Sequence, residues 1–163
     1  MHSAIGQQLA PLHIRWAVSG AAGAPRRGGL GAAARPDADR LRDARILVVE
    51  DETLVALLLE DRLAALGCEV VGPAVSVDEA LELLATHPLD AAVLDVNLCG
   101  IAVFPVADAL DVRGIPFLFA TAYGVQGVVE RHAQRLVLDK PYAERALEAA
   151  LRAVLSERAP YPK

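Results

Sequence analysis

The sequence predicts an α/β fold built on one open, parallel, five-stranded sheet with helices on both faces. From Arg45 onward, short apolar runs alternate with segments of helical period, and this alternation occurs five times. Strands joined by right-handed crossover helices run parallel to one another. A closed barrel of eight such units needs about 250 residues, whereas the whole chain has 163. The sheet is therefore expected to be open.

Five short apolar runs are the predicted strands. The second run is the shortest and has polar neighbours, which is typical of an edge strand. The expected order across the sheet is 2-1-3-4-5, the flavodoxin-like doubly wound arrangement. The runs are, in chain order, Ile46–Val49, Val70–Val71, Ala91–Leu94, Ile115–Phe119 and Leu136–Leu138.

A helix is expected after each strand. In the first helix, apolar residues recur at spacings of three and four between Val55 and Leu66, and Gly67 ends the pattern. Ser76 and Glu79 form a capping box that opens the second helix. Apolar residues predict the other three helices at Val103–Leu110, Val125–His132 and Leu147–Val154.

Charge and composition change near residue 44. Residues 1–44 contain six arginines and three aspartates and are rich in Ala, Gly and Pro. This composition predicts a flexible tail over residues 1–44, a folded domain over 45–157 and a short tail over 158–163. A signal peptide is disfavoured because Arg15 and Gly20 interrupt the apolar stretch. Contacts with nucleic acid and a wrongly assigned start codon remain open for this tail.

The composition excludes several classes of protein. The longest uninterrupted apolar run, Leu54–Leu59, has six residues, whereas a membrane-spanning helix needs roughly 18 to 20. Two cysteines cannot supply the disulfide framework of a small secreted protein. These observations favour a cytoplasmic protein with no membrane contact.

Polar side chains follow four of the predicted strands. In a parallel α/β sheet these positions meet at one edge, where ligands bind. Two carboxylates about 4 Å apart repel by about 4 kcal/mol at an effective dielectric near 20, so such a cluster favours a cation. Carboxylate oxygens suit Mg²⁺, whose coordination is often completed by phosphate. The residues are Glu50, Asp51, Asp95, Thr121 and Lys140, of which Asp95 is the candidate nucleophile for a phosphoryl group.

Each of these residues also has a simpler interpretation. Glu50 and Asp51 could complement a helix dipole, Asp95 could cap a loop, and Lys140 could be a solvated surface lysine. Their joint position at the ends of strands favours a site.

Four stretches resemble the receiver domain of two-component response regulators over about residues 44–157. The agreement extends to their order along the chain. They are Ile46–Glu52, Ala92–Leu98, Pro116–Thr121 and Leu138–Tyr142.

The resemblance implies a role for each site residue. Asp95 would be the phosphoacceptor, and Mg²⁺ would be held by Asp51, Asp95 and the backbone carbonyl of Asn97, with Glu50 acting through water. Lys140 would pair with the phosphoryl group, and Thr121 would donate its hydroxyl to it. The bond between Lys140 and Pro141 would be cis.

The resemblance also implies partners. Receivers take a phosphoryl group from a histidine kinase or phosphotransfer protein and are not enzymes beyond their own phosphorylation and dephosphorylation. Few residues follow the last predicted helix, so direct DNA binding is not expected. A monomer or weak dimer that acts through a protein target is expected, with segment 123–133, the fifth strand and the final helix as its contact face.

A narrower resemblance involves Phe119–Tyr123. It is similar to a single-domain branch with the signature Pro-Phe-x-Phe-Ala-Thr-Gly-Tyr, although Ala122 replaces the glycine. The branch implies a switch loop that includes Thr121, Ala122 and Tyr123.

Several other functions remain to be compared with this one. A pseudo-receiver that binds partners without phosphorylation and a phosphate sink both stay open. A phosphohydrolase is disfavoured because Asp95-Val96-Asn97 lacks the second carboxylate of a D-x-D pair. A flavin protein is disfavoured because no phosphate-binding loop follows the first strand.

Overall fold

A computed structural model describes residues 40–122 and 124–157 of the chain. Five of its strands form one parallel sheet with the order β2-β1-β3-β6-β7, which confirms the predicted doubly wound arrangement. The other two strands, β4 and β5, form a small antiparallel hairpin. The strands are β1 Arg45–Val49, β2 Glu69–Ala74, β3 Ala91–Leu94, β4 Asn97–Leu98, β5 Ile101–Ala102, β6 Phe117–Thr121 and β7 Leu136–Asp139.

Four α-helices in the described residues cover the two faces of the sheet. They are α1 Thr53–Ala65, α2 Val77–Thr86, α3 Phe104–Val112 and α4 Glu144–Glu157. Alternate residues of each strand point to opposite faces. In β1, Leu47 packs with the core under α2 and α3, whereas Ile46 packs with the core under α1 and α4. Each face of the sheet is therefore sealed by two helices.

The helix expected at Val125–His132 does not form. Two short 3₁₀ turns, Gly124–Gly127 and Glu130–His132, occupy this segment instead. Within Val125–His132, one glycine and three valines lower the helical propensity. Asp108 of α3 accepts hydrogen bonds from Arg131 and is paired with His132. The segment is thus held by contacts with α3 rather than by a helical ladder.

The folded part of the chain begins before the predicted boundary at residue 45. Leu41 and Ala44 are buried in the core under α1 and α4, and the Arg40 side chain donates to the carbonyl of Leu155. Arg40, Leu41 and Ala44, which the prediction placed in the tail over residues 1–44, therefore belong to the folded domain. The remainder of that tail, residues 1–39, and the tail at 158–163 lie outside the described residues.

None of the four described helices has both the length and the apolar character that crossing a bilayer requires.

Candidate functional site

The ends of two neighbouring strands bring three carboxylates together. Glu50 and Asp51 follow β1, and Asp95 follows β3, its partner in the sheet. Each side chain offers an oxygen, and these three oxygens all lie within 4.8 Å of one another. We call Glu50, Asp51 and Asp95 the acidic trio. Glu50 and Asp95 are buried, with exposed fractions of 2% and 8%, so their charges require a counter-ion.

Lys140 supplies part of that counter-charge. Its ammonium donates to Glu50 Oε2 at 2.5 Å and to Asp95 Oδ2 at 2.7 Å. Burial opposes the charge on Lys140, but hydrogen bonds to Asp95 and Glu50 keep its pKa above its usual value. Burial also has the largest effect on the pKa of the Glu50 carboxyl. It raises this pKa, although the hydrogen bond from Lys140 acts in the opposite direction. The lysine is therefore a charged link between two buried acids.

Thr121 and Asp95 lie next to this link. Thr121 ends β6 and is fully buried, and its carbonyl accepts the backbone N–H of Lys140 at 2.9 Å. Asp95 Oδ1 accepts the backbone N–H of Asn97 at 3.2 Å. The bond between Lys140 and Pro141 is cis. The structure thus brings together the acids, the hydroxyl residue and the lysine that the sequence placed at separate strand ends.

The predicted switch loop is only partly described. Thr121 is in place at the end of β6, and Ala122 is exposed. Among the described non-glycine residues, positive φ angles occur at Asp43 and Cys99, so Ala122 does not need the backbone freedom of glycine. The predicted role of Tyr123 lies outside the described residues.

Cys99 is a residue of this site that sequence reasoning did not assign. Its backbone N–H and its thiol both donate to Asp51 Oδ2, at 2.8 and 2.9 Å. The hydrogen bond from the thiol is the largest of the effects that hold the pKa of Asp51 below its usual value. Asp51 and Cys99 are 48 residues apart, so only the hairpin of β4 and β5 reveals the contact.

The acidic trio fits a hard divalent cation. Its donors are all carboxylate oxygens, which suit Mg²⁺ better than the softer metals that prefer thiolate or imidazole. The Lys140 ammonium balances part of the negative charge. Asp51 makes its hydrogen bonds to Cys99 through one oxygen, whereas the ion pairs of Lys140 are with Glu50 and Asp95. A cation therefore fits best beside Asp51 and Asp95.

The doubly wound sheet and the residues at its edge define the class of protein as a receiver domain. The sequence model described as the response regulator receiver domain matches residues 46–152. This chain belongs to that family.

The chain is similar to several known regulators. SdrG from Sphingomonas melonis Fr1 is 44% identical with a TM-score of 0.63, and the match covers 69% of this chain and 96% of SdrG. The response regulator PhyR from Brucella abortus is 27% identical with a TM-score of 0.62, over 72% of this chain and 51% of PhyR.

A curated relative is longer than the region it shares. The transcriptional regulatory protein PdtaR of Mycobacterium tuberculosis is 33% identical over 102 residues, which is 58% of this chain and 47% of PdtaR. This chain therefore matches about half the length of that relative.

Proposed function

We propose that this protein is a stand-alone response regulator that accepts a phosphoryl group on Asp95 from a histidine kinase or phosphotransfer protein. The observation that carries the proposal is the Lys140 ammonium, held 2.7 Å from a buried Asp95 carboxylate. Mg²⁺ would be held by Asp51, Asp95 and the carbonyl of Asn97, with Glu50 acting through water. The protein acts in the cytoplasm through protein partners, as a monomer or weak dimer, and turns over no other substrate.

The chemistry is a transfer to a carboxylate. An oxygen of Asp95 forms a bond to phosphorus while the bond from phosphorus to the donor nitrogen breaks, and the donor imidazole keeps that electron pair. Lys140 pairs with the added negative charge, and Thr121 donates its hydroxyl to a phosphoryl oxygen. Bound Mg²⁺ supplies further neutralisation of charge on the transferring group. A related structure, SdrG in a BeF3-activated conformation, supports a phosphorylation switch here.

Incubation with acetyl phosphate and Mg²⁺ tests this function. Mass spectrometry is expected to show a gain of one phosphoryl group that depends on Mg²⁺ and is absent in Asp95→Asn. Asp139→Asn is the matched control, because Asp139 is an exposed carboxylate at the end of β7, two strands away from β3 in the same sheet. No gain in the wild type, or a gain that survives Asp95→Asn, contradicts the proposal and favours a pseudo-receiver.

An exposed apolar surface beside the site suits a protein donor. Helix α1 begins two residues after Asp51, and its outer face carries Leu54, Leu57 and Leu58 with exposed fractions of 82%, 52% and 49%. Adjacent exposed leucines are characteristic of a binding surface. A donor must bring its phosphohistidine to Asp95, so it must cover the mouth of the site. We therefore assign this α1 face to the donor protein.

Replacing Leu54 and Leu57 with serine is expected to slow phosphotransfer from a phosphorylated histidine phosphotransfer protein of the same host by about tenfold. Phosphorylation by acetyl phosphate should be unchanged, because the small donor needs no protein surface. Val112→Ser is the control, since Val112 is 88% exposed at the far end of α3. Equal slowing with both donors would instead indicate damage to the site.

A further inference from the structure

The connection between β4 and β5 is a two-residue turn with unusual backbone angles. Cys99 has a φ of +49° and Gly100 a φ of +90°. Hairpin turns of this kind favour Asn, Asp or Gly, because other residues resist positive φ. The side chain of Asn97 supports the turn by accepting the N–H of Gly100 at 3.0 Å. Backbone preference therefore does not explain why a cysteine occupies this position.

Packing does not explain the cysteine either. Cys99 is exposed and belongs to neither buried core. Its two hydrogen bonds converge on one oxygen of Asp51, Oδ2, from the backbone N–H and from the thiol. A carboxylate bound by two donors on one oxygen cannot rotate freely about its last side-chain bond. The turn thus restrains the orientation of a member of the acidic trio.

We propose that Cys99 is a positioning residue that orients Asp51 for Mg²⁺. With Oδ2 held by the turn, the second oxygen of Asp51 is the one that an ion can bind without breaking these bonds. The ion then meets a carboxylate that is already oriented, so less ordering accompanies binding. This inference rests on the proposed function, because it concerns the same metal site.

The role of the thiol can be separated from that of the turn by three substitutions. Cys99→Gly keeps the backbone N–H and suits the positive φ, but it removes the thiol. Cys99→Ala removes the thiol and keeps the backbone strain. Cys99→Ser keeps a side-chain donor of similar size. If Cys99 has only a structural role in the turn, Cys99→Gly should leave Mg²⁺ binding unchanged. If Cys99 positions Asp51, Cys99→Gly should weaken Mg²⁺ binding.

Calorimetric titration of the metal-free protein with MgCl₂ measures the effect. Cys99→Gly and Cys99→Ala are expected to weaken Mg²⁺ binding about tenfold. Urea denaturation is expected to show that Cys99→Gly is at least as stable as the wild type, because glycine suits the positive φ. Cys99→Ser should restore the affinity to within about twofold of the wild type. Loss of affinity in a fully stable variant, with rescue by serine, is a result that a structural role alone does not produce.

Two results would overturn the inference in different ways. If the wild type binds Mg²⁺ and Cys99→Gly binds it equally well, the positioning role of Cys99 is wrong while the proposed function stands. If the wild type binds no Mg²⁺ at all, the proposed function fails and this inference fails with it.

Discussion

Replacing Lys140 with alanine is expected to lower the free energy of unfolding, measured without divalent cations, by about 3 kcal/mol. The lysine joins Glu50 and Asp95 through bonds of 2.5 and 2.7 Å, and both acids are buried. Its removal leaves two buried carboxylates without their counter-ion. Adding Mg²⁺ should recover part of the loss, because the ion neutralises the same charges and stabilises the folded state to which it binds.

A double-mutant cycle separates the charge from the shape of the side chain. Lys140→Met keeps most of the side-chain volume, and Glu50→Gln removes the charge that the lysine neutralises. The double variant should be more stable than the sum of the two single losses implies, because the unpaired charge on Glu50 is gone. Strict additivity would show that the ion pair contributes nothing.

Phosphorylation of Lys140→Ala by acetyl phosphate should also slow by about 100-fold, because one donor to the phosphoryl oxygens is lost.

Gly72→Ala is expected to destabilise the protein by about 3 kcal/mol through strain at the edge of the sheet. Gly72 has a φ of +104°, which a residue with a Cβ rarely adopts. An added Cβ would lie 2.8 Å from the backbone nitrogen of Ala74 and 2.9 Å from the carbonyl oxygen of Val48. Both atoms belong to the paired strands β2 and β1, so neither can move away without disturbing the ladder.

Gly114→Ala is the matched control for that substitution. Gly114 also has a positive φ, +63°, but an added Cβ would meet nothing within 4 Å. Its cost is therefore the backbone conformation alone, about 1 kcal/mol. Urea denaturation of both variants measures the difference. Equal losses at the two positions would show that the close contacts of Gly72 are relieved at no cost.

Most of the fold could be predicted from local patterns. The apolar runs fixed the number of parallel strands, and the handedness of crossover connections limited their order to a few arrangements. The site followed from the same reasoning, because the carboxyl ends of parallel strands lie at one edge. Glu50, Asp51 and Asp95 were therefore recognisable as neighbours before any distance was known. The local sequence pattern is sufficient to predict the position of a residue when that position depends on the periodicity of its own strand.

The segment at Val125–His132 was the main error, and its cause is tertiary. Its spacing of apolar residues is compatible with a helix, but His132 is buried between aromatic rings. Phe104, Phe117 and Phe119 all contact the imidazole, and Asp108 pairs with it at 2.9 Å. These partners come from α3 and β6. Contacts between distant elements thus outweighed a weak local preference for a helix.

The sequence by itself determined the strands, their parallel order and the set of polar residues at their ends, since each depends on short-range periodicity and chain handedness. Only the tertiary structure decided how those residues pair. Lys140 binds Glu50 across 90 residues of sequence, and Cys99 binds Asp51 across 48. These hydrogen bonds depend on the directions in which side chains point at the sheet edge and on the turn between β4 and β5. No local sequence pattern indicates which distant residue that turn will contact. Hydrogen bonds act over about 3 Å, so they are settled only when the backbone has brought their partners together.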